Sequence, residues 1–172
     1  MKIIEAMKKI KLLLNKITDE QKLIAEHHAD LDIENPTYGT VAEQTEIISK
    51  KLQGIRDMVH EISSLRFSIQ KSNVTIPVTI EIGGNRLTKT IAEWIHRRKD
   101  LCTIECNSWA CMNDKGMRST GVVKQTNGQE RQVQIRRYYD PKKKDAEISV
   151  LKSEPLLIDS ALEIVNATTE LV

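Results

Sequence analysis

Residues 3–24 read IIEAMKKIKLLLNKITDEQKLI, and residues 48–69 read ISKKLQGIRDMVHEISSLRFSI. In the first stretch Ile3, Met7, Ile10, Leu14, Ile17 and Ile24 step by 3 and 4, with Gln21 as the one polar rung. In the second, Ile48, Leu52, Ile55, Val59, Ile62 and Ile69 repeat the step, with Arg66 interrupting. Such spacing puts apolar side chains on one seam of a helix. Between the seams lie Asn35, Pro36 and Gly39, which break a helix and reverse the chain. The front of the chain is therefore predicted to be a long antiparallel helical hairpin. Helix one is expected over residues 2–28 and helix two over 40–72. At about 1.5 Å per residue the first is roughly 40 Å long. A lone hairpin buries one face of each helix, so the other apolar stripes call for partners, and the chain is expected to form a homo-oligomer. Gly54, inside helix two, is read as a place where another backbone approaches closely.

Beyond the hairpin the period changes to 2. Val74, Ile76, Val78, Ile80 and Ile82 alternate with Thr75, Pro77, Thr79 and Glu81, as in a half-buried strand. Pro77 cannot donate a ladder hydrogen bond, which puts the strand at an edge or bends it there. Gly83-Gly84-Asn85 ends it in a turn. Thr90-Ile91-Ala92-Glu93 has the form of a capping box, opening a third helix that runs to about Asn113 and is closed by Gly116. Residues 117–125 and 130–138 flank Asn127-Gly128, a pair suited to a tight hairpin turn. Asp140-Pro141 reads as an N-cap and first helical residue, and Ser153-Glu154-Pro155 as a second helix start. The last helix carries Leu156, Ile158, Leu162 and Val165. The whole is predicted to be an α+β protein of one domain, 1–172. It divides into a helical hairpin (1–72), a strand plus helix (73–116), a β-hairpin arm (117–139) and C-terminal helices (140–172).

Composition narrows the function. The 172 residues are 40% hydrophobic and 3% aromatic, so the core is mostly aliphatic. A charged fraction of 29% with net charge +2 describes a well-solvated surface. That balance and the few aromatics argue against general nucleic-acid binding. No run of about 18 apolar residues exists to span a membrane. The start, Met1-Lys2-Ile3-Ile4-Glu5, lacks the apolar core of a signal peptide. Three cysteines fit a reducing cytoplasm better than a disulfide framework.

Several short pieces follow one another in an order that resembles the septicolysin-like family of small bacterial and phage-associated proteins. They are Asn73-Val74-Thr75 closing the hairpin, Leu87-Thr88, Ile91-Ala92, Arg97-Arg98-Lys99-Asp100-Leu101, and Asn166-Ala167-Thr168-Thr169-Glu170-Leu171. The family carries an aromatic residue where this chain has Ala167, and residues 117–138 look like an added hairpin. The resemblance implies a helix-rich, oligomeric protein. It carries over no catalytic residue.

Two clusters could carry chemistry. His96-Arg97-Arg98-Lys99 makes a basic collar around a helix turn, and an arginine can grip phosphate with a two-pronged fork. The plain alternative is a solvated turn, partly neutralised by Asp100 and Glu93. Arg136-Arg137-Tyr138-Tyr139 pairs two guanidinium groups with two phenols, which suits clamping a phosphate and stacking a base. Strand alternation would put Arg136 with Tyr138 on one face and Arg137 with Tyr139 on the other. The plain alternative is a hairpin that packs on a neighbour, since Arg and Tyr also mark protein interfaces.

Lys142-Lys143-Lys144 reads as a solvated charge run, and His27-His28 as the end of helix one. Cys102, Cys106 and Cys111 lack the second pair a structural zinc site needs, and read as buried or half-buried free thiols. Gly83-Gly84-Asn85 is not followed by the Lys-Ser/Thr of a phosphate loop, and no hydrolase or zinc-protease motif appears.

No enzyme and no cofactor are expected. One reading is an oligomer that holds an anionic, nucleotide-like small molecule unaltered, as phage anti-defence sponges hold immune signalling nucleotides. Arg97, Arg98, Arg136 and Arg137 would grip phosphate, and Tyr138 or Tyr139 would stack the base. The other is a scaffold or virion component whose work is assembly.

Overall fold

The computed structural model describes residues 1–172 except 116, 118–120, 125–127, 129 and 133–134. The fold is α+β and mainly helical. Two compact units are present, one formed by residues 1–77 with 162–172, the other by 78–161.

The first unit is the helical hairpin, α1 (Ile3–His27) and α2 (Val41–Thr75). Its core joins Ala6, Leu13 and Ile17 to Ile62 and Leu65, with Ile10, Ile55, Met58 and Ile69 packed around them. The seam therefore runs through Ile3, Ala6, Ile10, Leu13 and Ile17 on α1, keeping Ile3, Ile10 and Ile17 of the predicted ladder but replacing its Met7 and Leu14 by Ala6 and Leu13. Met7, Leu14, Leu52 and Val59, which that ladder places in the seam, are exposed. Two ion pairs cross between the helices, Lys51 to Glu20 at 2.7 Å and Lys9 to Glu61.

The loop is knitted by Gln44. Its amide donates to the His27 carbonyl at 2.9 Å, and its oxygen accepts from the Tyr38 backbone at 3.1 Å. Gly39, at φ +93°, makes the turn a side chain would strain. Thr40 and Glu43 then cap α2 reciprocally. Gly54 has no neighbouring atom within 4 Å of where a Cβ would stand, so among the described residues no backbone makes the close approach expected there. The chain end returns to this unit: Ile3 N donates to Thr169 O, Leu171 N to Met1 O, and Val172 N to Ser72 Oγ, each at 3.0 Å.

Strand β1 (Pro77–Ile82) leads from Pro77 into the second unit and pairs with β2 (Asn85–Thr90), the two joined by Gly83 and Gly84 at φ +57° and +79°. The alternation from Val74 predicts an earlier start, but α2 continues to Thr75 and leaves Val74 exposed. Pro77 ends that helix, because the residue before a proline is driven out of the helical region. Val78, Ile80 and Ile82 face inward. Strand β2 is almost wholly exposed and mostly polar, so it lacks the apolar alternation that marks β1. At Gly83 an added Cβ would also come within 3.2 Å of the Val150 side chain.

Thr90 and Glu93 form the predicted capping box. A helix follows as α3 (Ile91–His96), a π-helical turn (Arg97–Leu101) and α4 (Cys102–Ala110), shorter than the predicted end near Asn113. Trp94 is fully buried and donates from its indole nitrogen to Val78 O at 2.9 Å.

Strands β3 (Val122–Lys124) and β4 (Glu130–Gln132) pair antiparallel, Val123 opposite Arg131. Gly128 has φ +79°, while its predicted turn partner Asn127 lies outside the described residues, as does Gly116. The strands are three residues each, so Arg136 to Tyr139 lie beyond β4 and the strand alternation predicted for them does not apply.

Helix α5 runs from Pro141 to Thr168 without a break at Ser153. Asp140 caps it as expected, accepting from Lys142 N at 2.9 Å. Pro155 sits in its interior, and a proline there leaves the carbonyl four residues back without its helical donor. That carbonyl is Leu151 O, and the Cys102 thiol donates to it at 2.9 Å. The second helix start predicted at Ser153 is thus replaced by a helix whose missing bond is supplied from α4.

Candidate functional site

The π-helical turn decides where the first arginine cluster points. Arg97 turns onto α5, its Nε and one terminal nitrogen donating to the two oxygens of Glu154 at 2.6 and 2.8 Å. The other terminal nitrogen donates to Glu105 at 2.5 Å. Glu154 is buried, so this forked pair stands in a weakly screened setting. The bond to Glu154 is the main reason the Arg97 guanidinium holds its proton even more tightly than usual. Arg98 is bound to Asp159. Both arginines of the collar are thus engaged by carboxylates of the protein itself, although the partners differ from the expected Asp100 and Glu93. Glu93 is spent on the cap of α3.

Cys102 lies beneath this network. Burial, with the nearby Glu154 carboxylate adding to it, pushes its thiol up to about 11. The group therefore stays protonated at neutral pH, as a donor to Leu151 O must. Cys106 is half-buried and Cys111 exposed.

The second cluster is built differently. Residues 135–139 and the 111–114 segment, with Met117, line one open cleft of about 370 Å³. Arg136, Arg137, Tyr138 and Tyr139 all contribute to it. Arg137 is held across the cleft by Asp114, with Nε 3.1 Å from Oδ2. This hydrogen bond holds the Asp114 carboxyl below the usual range and raises the guanidinium. Tyr139 lies under Lys144, whose ammonium is 5.7 Å from the ring centroid and donates to Met112 O at 2.9 Å. Tyr138 is 89% exposed, so its ring is accessible beside the cleft. Lys144, read from sequence as part of a solvated run, therefore braces two residues of the cleft wall, Tyr139 and Met112. Only its three-residue spacing from Pro141 places it there, on the first turn of α5.

The two clusters do not meet within one chain. Arg97 engages α5 at Glu154, whereas Arg136–Tyr139 precede its first residue, Pro141. Thirteen residues of helix separate those points, about 20 Å. His27 and His28 close α1 as expected, with the His27 ring edge-on to Tyr38 at 5.1 Å. No group of three or more metal-ligating side chains is found among the described residues. No described helix is long and apolar enough to cross a membrane.

No family model matches the chain, and no curated protein matches it. A solved structure does. It is the crystal structure of a functionally unknown conserved protein from Corynebacterium diphtheriae, similar over 100% of this chain and 99% of that one, with a TM-score of 0.56 and 13% identity. At that identity the likeness shows a shared fold.

Proposed function

We propose that the protein is a homo-oligomeric binding protein that holds an anionic, nucleotide-like small molecule without altering it, at the cleft of Arg136, Arg137, Tyr138 and Tyr139. The observation that carries this reading is that these four residues line a single cleft of about 370 Å³. Cationic forks beside accessible aromatic rings suit a phosphate joined to a planar base. Arg97 and Arg98 are left out of the site because they do not line this cleft, whereas Arg137 lines it although Asp114 already engages it. The absence of a catalytic motif from the sequence supports binding without chemistry, and the three cysteines support a cytoplasmic setting. Sequestration of signalling nucleotides, as in a phage anti-defence sponge, is the biological form of this reading.

The test is native mass spectrometry after incubation with cyclic and ADP-ribose-type nucleotides, followed by titration of any nucleotide retained. Alanine at Arg136 and Arg137 is expected to weaken binding by about 1.5–3 kcal/mol per charged hydrogen bond lost. Asp114→Asn should act in the opposite direction, since it releases Arg137 from its carboxylate. Unchanged affinity in both folded variants would remove the cleft as the site. A second reading, a structural oligomer without a ligand, is favoured by the exposed apolar stripe Met7, Leu14, Leu52 and Val59. There the same alanine variants leave nothing to weaken, and wild-type protein retains no nucleotide.

A further inference from the structure

The geometry points to head-to-tail self-docking, in which the acidic tip of one hairpin seats on the basic, apolar flank of the hairpin of a second copy. This rests on the oligomeric part of the proposed function and names its interface.

The flank follows from the register. Lys9 and Glu61 each stand one residue before a seam position, Ile10 and Ile62, and they pair. Like flanks of the two helices therefore face each other, as in an antiparallel coiled coil. Met7, Leu14, Leu52 and Val59 each stand four residues after a seam position, so they share the opposite flank. They are 42–51% exposed. The remaining positions of that flank, one or four residues after a seam position, include Lys11, Arg56 and Arg66, all exposed, and no Asp or Glu. The lysine–carboxylate pairs of the hairpin, Lys9–Glu61, Lys51–Glu20, Lys50–Glu46 and Lys22–Asp19, lie elsewhere. A flank low in charge, apolar at its centre and cationic where charged has the composition of an interface. Pairing it with the same flank of another copy would bring cations onto cations.

The chain carries the complement. Asp30-Leu31-Asp32-Ile33-Glu34, at the hairpin tip, offers three carboxylates and no base. Ile33 is 87% exposed and Leu31 63%, among the most exposed aliphatic side chains described. The tip is preformed: Glu34 N donates to Leu31 O at 2.9 Å, and the Glu34 carboxylate accepts from Leu31 N at 3.3 Å. Asp30 is anchored by Gln44 at 3.4 Å. A tip held in shape loses little entropy on docking. It cannot fold back on its own flank, because Leu52 lies eleven helical residues from the start of α2, about 16 Å away. Tip and flank are different surfaces, so the contact is heterologous and propagates into a ring or a filament.

The full-length chain is studied by native mass spectrometry and light scattering. The flank variant Leu52→Glu/Val59→Glu and the tip variant Leu31→Ser/Ile33→Ser are each expected to be monomeric where wild type assembles. Mixed in equal amounts they should give a two-copy species and stop there, since one intact tip meets one intact flank. A second pair guards against unfolding. Arg56→Glu/Arg66→Glu should lose assembly and regain it when mixed with Asp30→Lys/Asp32→Lys. Either apolar variant assembling like wild type, or a mixture that stays monomeric, overturns the interface while leaving the oligomer in place. A monomeric wild type overturns both. So does a monomeric wild type that sediments with phosphatidylglycerol vesicles, which would give the flank to an anionic lipid surface.

Discussion

At the scale of single residues, the contact that says most is the Cys102 thiol on the Leu151 carbonyl. Ser153-Glu154-Pro155 imitates a helix start because proline is at home in the first turn. Inside a helix the same proline costs about 3 kcal/mol, in part through the donor it removes. A thiol is a weak donor, yet here it is buried, protonated and 2.9 Å from the orphaned oxygen. Cys102 could be read from the sequence as a buried thiol, but not its partner, which is 49 residues away. Cys102→Ala is expected to destabilise the fold by about 1–3 kcal/mol through the unpaired carbonyl. In a Pro155→Ala background that penalty should shrink, since residue 155 then supplies its own helical donor. Urea unfolding of the two single variants and the double variant measures the difference. Equal penalties in both backgrounds would make the thiol a bystander.

At the scale of elements, the hairpin was legible and its register was not. About half of each ladder is correct, for Ile3, Ile10 and Ile17 on α1 and Ile55, Ile62 and Ile69 on α2 are seam residues. The alternate rungs are misplaced because several of the true ones do not look like core, although Leu13, Met58 and Leu65 do. The others include Ala6, Glu20, Lys51 and Ser72, which are small, charged or polar. Glu20 and Lys51 work in the seam by pairing with each other, and Ser72 by donating to Ser68 O at 2.9 Å and accepting from Val172 N. Apolar Met7, Leu14, Leu52 and Val59 draw the eye instead. The two registers predict opposite results. Leu65→Ala should cost about 2–5 kcal/mol, as truncation of a buried leucine does. Leu14→Ala, on the exposed flank, should change the unfolding free energy by no more than about 0.5 kcal/mol. Denaturant melts at low protein concentration separate stability from assembly, and comparable losses at both positions would restore the ladder as the seam.

At the scale of the whole molecule, the α+β class, the Thr90 capping box and the β3–β4 pairing could be read from local chemistry, because each depends on residues close in sequence. Strand β2, the engagement of Arg97 by Glu154 and the assembly of the cleft depend on distant partners or on a face with no apolar pattern. The β-hairpin arm puts that division to a test. Met117 and Ile135 line the same cleft, so the chain leaves for the arm and returns at neighbouring points. Replacing residues 118–134 by a short Gly-Ser linker should therefore keep the helical signal and the cooperative melt. The stability change should stay within about 1 kcal/mol, because a doubling of loop length is worth only about 0.6 kcal/mol. Arg136, Arg137, Tyr138 and Tyr139 remain in the shortened chain, so any nucleotide affinity should survive with them. A shortened chain that folds but no longer binds would mean that the arm itself covers the ligand. One that fails to melt cooperatively would mean that the strands carry packing the rest of the fold depends on, and the arm could no longer be read as an addition to the fold.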